Sequence, residues 1–176
     1  MTQPAGNYRD QHSAGAFRRQ AFRVWAVSAG LAFVWVALIA AAPLARANDM
    51  SISEHLYTFF SYICHQLPER SLHLADHPMA VCSRCFGVYF GLFLALATYP
   101  LWRSIDNIEP LPRTWLFLSM VPIGIDWSLT MAGIWENTHL SRLITGGILG
   151  AACGIYIVPA LVEIRQNLAL RRRHAS

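Results

Sequence analysis

Residues 24–44 read VWAVSAGLAFVWVALIAAAPL, twenty-one consecutive positions without a charge. A helix crosses the hydrocarbon core of a bilayer, about 30 Å thick, with about 20 apolar residues rising 1.5 Å each. The first apolar run, about 22–44, is long enough to do so, and three more follow at about 84–102, 114–134 and 142–162. The composition agrees: of 176 residues 55% are hydrophobic and only 14% charged, far more apolar than a soluble domain. The reading is an all-α, polytopic transmembrane helix bundle of four spans with little room for a separate soluble core.

Charge placement orients the bundle. All 14 basic residues are arginines, against 10 acids. They gather at span ends and tails rather than in an aromatic-interleaved patch, so no nucleic-acid partner is expected and the lipid bilayer, through its headgroups, is. Arg9, Arg18, Arg19 and Arg23 precede the first run, and Arg165, Arg171, Arg172 and Arg173 follow the last. Basic residues stay on the cytoplasmic side, so both termini are expected there. Arg103 and Arg113 bracket a middle cytoplasmic loop containing Pro110 and Pro112, which leaves 45–81 and 135–141 outside.

The chain then divides into a basic tail and first span (1–47), a cysteine-bearing loop with three spans (48–163), and a basic tail (164–176). The first run followed by Ala45-Arg46-Ala47 also resembles a signal peptide, whose cleavage would leave three spans. Its uncharged core exceeds the usual signal length of about 7–15 residues, which favours a retained anchor. Segment 52–63 spaces Ile52, Leu56, Phe59, Phe60 and Ile63 as a helix would and is expected to lie along the outer interface.

The chemistry concentrates in CHQLPERS (64–71) and CSRCFGVYFG (82–91). Cys82 and Cys85, two residues apart, can reach one ion as thiolates, the arrangement of tetrahedral zinc sites; the same gap suits a reversible disulfide. Cys64 supplies a third sulfur, and His65, His73 or His77 a fourth ligand. Adjacent residues share one tetrahedral ion poorly, which favours His73 or His77 over His65. A stabilising disulfide outside the membrane is the plain alternative.

Both strings resemble the bacterial membrane family known only as domain of unknown function 2085. The resemblance continues through Pro122-Ile-Gly-Ile-Asp126, Asn137 and the stretch 141–150, and covers about residues 55–155. Where that family carries Asp-Gly, this chain has Asp126-Trp127. Membership implies an architecture, a multi-pass place in the bacterial inner (cytoplasmic) membrane, and no reaction.

Asp126 lies inside the third run, where an ionised carboxylate costs about 2.5–3.5 kcal/mol on insertion scales. Arg142, at the outer end of the fourth run, is the expected partner. Topology sends Cys82, Arg84, Cys85, Asp126, Asn137, His139 and Arg142 to one face of the membrane, so a shared site is expected. Gly87-x-x-x-Gly91 and Gly146-x-x-x-Gly150-x-x-x-Gly154 let helix backbones approach, within the chain or against a homo-oligomer or membrane-protein partner. Cys153 reads as a small core residue and Trp102, Trp115 and Trp135 as interfacial anchors.

Three functional readings remain. The first is an extracytoplasmic zinc site of three cysteines and one histidine at the bundle mouth, with Asp126 or Glu69 as base in a catalytic version. The second is a thiol–disulfide oxidoreductase exchanging through Cys82 and Cys85, with Arg84 lowering a thiol pKa and a quinone as electron acceptor. The third is a non-catalytic assembly or transport subunit with a structural Asp126–Arg142 pair. The chain has no Gly-rich phosphate loop, Gly-x-Ser-x-Gly elbow or His-Glu-x-x-His run.

Overall fold

The computed structural model describes residues 5–105, 107, 109 and 111–174; Pro110 lies outside them. Helix α1 (Ala5–Ala47) contains the first apolar run and exceeds it at both ends. Helix α2 (Ile52–Ser61) folds back beside its end, fixed by Ser53 Oγ donating to the Ala42 carbonyl at 3.3 Å. After a short 3-10 turn at Pro68–Arg70 comes a two-stranded hairpin, β1 (His73–Leu74) against β2 (His77–Pro78), with His73 opposite Pro78 and Leu74 opposite His77. Helices α3 (Ser83–Trp102), α4 (Thr114–Met131) and α5 (His139–His174) complete the chain.

Among the described residues three stretches are long and apolar enough to cross a membrane: Gly15–Ala47, Ser83–Trp102 and His139–Leu168. Helix α4, which carries Asp126, is long enough but falls short in apolarity and is not among them. Its 18 residues reach about 27 Å, shorter than the 114–134 run implies, because the chain leaves the helix through Gly133 at φ +67°. The amides of Gly133 and Ile134 bond back to Thr130 and Leu129 at 3.1 Å each, a closure that satisfies the last carbonyls.

The seam between α3 and α5 is the tightest contact in the fold. A Cβ on Gly91 would collide with the Gly147 carbonyl, and one on Gly150 with the Val88 carbonyl. Both glycine patterns are thus used within the chain. Two apolar clusters flank this seam. One holds Ala21, Leu96, Tyr99, Val158 and Val162, with Trp25 Nε1 donating to the Leu96 carbonyl at 2.7 Å. The other, near the hairpin, holds Ile39, Ala42, Phe60, Met79, Ala80 and Val81 around Cys64. Outward faces stay apolar, as with Leu31, Phe33 and Val34 on α1 and Phe117, Val121 and Ile125 on α4.

Candidate metal centre

Cys64 lies three residues beyond the end of α2 and its amide bonds to the Phe60 carbonyl at 3.0 Å, prolonging the last turn. The chain then reverses at Gln66, a non-glycine residue at φ +50°. The left-handed conformation costs about 1–2 kcal/mol, and the Gln66 side chain offsets it by donating from Nε2 to the carbonyls of Tyr57 at 2.7 Å and Ala80 at 2.8 Å. Those bonds tie α2 to the strand leading into α3. Tyr57 reinforces them, its hydroxyl donating to the Pro78 carbonyl. Cys64 is thereby set beside Cys82.

Cys82 caps α3, its carbonyl accepting the first helical bond from Phe86 N at 2.9 Å, and Cys85 is the third helical residue. Cap and third helical position lie on one side of a helix start, so both thiols face Cys64. The three sulfurs stand within 4.8 Å of one another. Around a tetrahedral ion with Zn–S bonds of about 2.3 Å they would stand about 3.8 Å apart, a small contraction. All three cysteines are free thiols. The Cys82 amide donates to Cys64 Sγ at 3.2 Å, and hydrogen bonds from the Cys82 and Cys85 thiols hold the Cys64 thiol well below its ordinary range.

Among the described residues no histidine or carboxylate joins the three sulfurs. His73 is exposed and His77 half-buried on the hairpin, whose turn residues Ala75 and Asp76 sit at φ +51° and +63°. His65 is exposed in the loop after Cys64, and Glu69 lies on the surface 4.0 Å from Arg70 Nε.

Successive helical residues are rotated by about 100°, so Ser83 and Arg84 leave the same turn in other directions. The Ser83 hydroxyl donates to the Arg70 carbonyl at 3.0 Å and, having one proton, accepts from His139 Nδ1 at 2.9 Å. Arg84 Nη2 reaches Asp126 Oδ2 on α4 at 2.5 Å. That oxygen also accepts from Asn137 Nδ2 at 2.9 Å, and the Thr130 hydroxyl donates to Asn137 Oδ1. Asp126 is buried at 7% exposure.

The expected Asp126–Arg142 pair is therefore corrected: Arg84 is the partner. Arg142 lies near Arg70, Arg84, Cys82 and Asp126, yet among the described residues its guanidinium has no hydrogen-bond or ion-pair partner. Residues expected at one face do meet at one end of the bundle, but as two clusters flanking a helix turn. Sequence reading missed Gln66, Ser83 and Thr130; only their position within or beside the quoted motifs pointed to them.

A helical membrane protein with a partly buried three-thiol cluster at one end of its bundle is thus defined. Residues 64–156 match the family of predicted membrane proteins DUF2085, and the chain belongs to that family. It is 38% identical over 114 residues to an uncharacterized protein of Methanocaldococcus jannaschii, covering 64% of this chain and 72% of the relative. An uncharacterized protein of Methanothermobacter thermautotrophicus is 33% identical over 106 residues, covering 59% of this chain and 90% of the relative. Both relatives are archaeal, so the resemblance extends beyond bacteria. No solved structure matches the chain.

Proposed function

We propose that Cys64, Cys82 and Cys85 hold a thiolate-preferring metal ion, zinc, at the mouth of a four-span membrane bundle. The carrying observation is that residues from two distant segments place three free sulfurs within 4.8 Å of one another in an apolar pocket. Thiolates favour zinc over hard cations, and three protein ligands are the number a catalytic zinc keeps, with water or substrate in the fourth position. An open fourth position is the reading we favour, with His65, His73 and His77 the protein ligands that would close it.

The site lies on the extracytoplasmic side if both arginine-rich tails are cytoplasmic. Helix α4 is the fourth span, its exposed Trp115, Phe117 and Ile125 facing lipid. Helix α2 is interfacial, with Ile52 and Phe59 exposed on it and Ile63 exposed just beyond its end. Helix α1 is a retained anchor: Ile39 and Ala42 wall the thiol cluster, and cleavage after Ala47 would strip that wall.

Metal content by mass spectrometry of the purified full chain tests the proposal. About one zinc per chain, lost in Cys82→Ser and kept when His65, His73 and His77 are each changed to alanine, is the expected result. Zinc lost in one histidine variant would close the fourth position, and no zinc in the intact chain would overturn the metal reading. A second reading has its own support, the placing of Cys82 and Cys85 at the positive end of α3, where thiols are activated. In it the pair passes two electrons and two protons to a quinone, forming a disulfide and a quinol. A metal-free chain whose Cys82–Cys85 disulfide forms with quinone would establish it.

A further inference from the structure

At the opposite end of the bundle from the thiols, α1 and α5 line an open cleft of about 730 Å³. Its rim carries three guanidiniums, Arg19 and Arg23 one turn apart on α1 and Arg165 on α5. Among the described residues none of the three meets a carboxylate. Below them the walls turn apolar with Val24, Val27 and Leu161. On the floor side, Gln20 Nε2 is buried with no hydrogen-bond partner. From Arg19 to Ser28 the cleft follows nine residues of helix, about 13 Å.

Three unpaired cations, an orphaned buried donor and an apolar lower wall at one site match an amphiphile with an anionic head. We propose that this cleft seats one anionic phospholipid, its phosphate held by Arg19, Arg23 and Arg165 and its acyl chains running down between Val24, Val27 and Leu161. Guanidinium and phosphate pair through two parallel hydrogen bonds. Basic pockets between membrane helices bind anionic headgroups in this way. Gln20 contributes the further donor that a phosphate or glycerol oxygen accepts. A zwitterionic lipid would bring a choline into the arginines and is disfavoured. The site is independent of the thiol cluster, so loss of metal leaves it intact.

Native mass spectrometry of the full chain, released from nanodiscs of equal phosphatidylglycerol and phosphatidylcholine, tests the assignment. One retained phosphatidylglycerol per chain is expected. The triple variant Arg19→Gln/Arg23→Gln/Arg165→Gln should lower that retention by about tenfold or more, while Arg18→Gln, exposed on the same helix outside the cleft, should keep it. Val27→Trp, which fills the apolar wall and leaves every arginine in place, should lower it too. Equal retention of the two lipids, or equal loss in the triple variant and Arg18→Gln, would overturn the proposal. Full displacement of the lipid by about 10 mM inorganic phosphate would assign the arginines to a free anion instead.

Discussion

One turn of α3 faces two polar clusters, and they differ in whether their charges close on themselves. On one flank Arg84, Asp126, Asn137 and Thr130 pair with one another, charge against charge and donor against acceptor, although Arg84 Nε stays buried without a partner. On the other, three thiols share hydrogen bonds with no cation bonded to them among the described residues, Arg142 standing near Cys82 without a bond, and Cys64 is already drawn toward its thiolate. A buried network that closes needs nothing from outside and serves to fix helices. A cluster of acids without a counter-cation is poised to take one. The contrast fits an architectural first cluster and, in the function proposed above, a chemical second one.

Removing one member of the closed network should have the largest effect. Asp126→Ala strands the Arg84 guanidinium, and losing one partner of a buried pair costs about 3–5 kcal/mol. Chemical denaturation in micelles measures it, and a double variant that also replaces Arg84 by methionine should recover most of the loss. Metal content, scaled to folded protein, should hold. If metal falls with Asp126→Ala in the folded fraction, the two clusters are one site.

Breaking the open cluster should do the reverse. Cys64→Ser removes a ligand and should weaken zinc binding by more than the roughly 100-fold that supporting residues typically contribute, with far less change in apo stability than Asp126→Ala. Competition with a chromogenic chelator reads the first, unfolding of metal-free protein the second.

Proton linkage sharpens the same point in the metal-free chain. The folded Cys64 thiol sits below its ordinary value of 9.0, so between the two values the unfolded chain binds more protons than the folded one. Stability from this group is fully present above about pH 9 and declines as pH falls toward the folded value. Thermal unfolding should therefore be later at about pH 8.5 than at about pH 6.5, by a margin that shrinks in Cys64→Ser.

Much of this was legible in the chain. The 84–102 run lies one residue from the start of α3 and ends with it, because hydropathy and helix length are one-dimensional properties. The Cys82–Cys85 pair was legible because its geometry is local to one helical turn. What escaped was direction around the helix. Topology places Asp126 and Arg142 at one end of the bundle but says nothing about which neighbour each faces, and the α3–α5 glycine seam leaves Arg84 to meet Asp126. The histidines escaped for another reason. His73 and His77 depend on a turn at Ala75-Asp76, two positive-φ residues without the Asn-Gly or Asp-Gly that marks such a turn.

Arg142 gives the smallest expected effect and the sharpest test of that lesson. Were it the partner of Asp126, Arg142→Gln would cost as much as breaking a buried pair. Its guanidinium instead stands near those of Arg70 and Arg84 without a bond of its own, so the substitution removes repulsion as well as attraction. Its effect on unfolding should stay within about 0.5 kcal/mol, as for surface positions without a specific partner. A double-mutant cycle makes the assignment quantitative: Asp126 should couple strongly to Arg84 and weakly to Arg142. Equal coupling to both would mean that the closed network extends to α5, and that Arg142 belongs to the architecture rather than to the approach to the thiols.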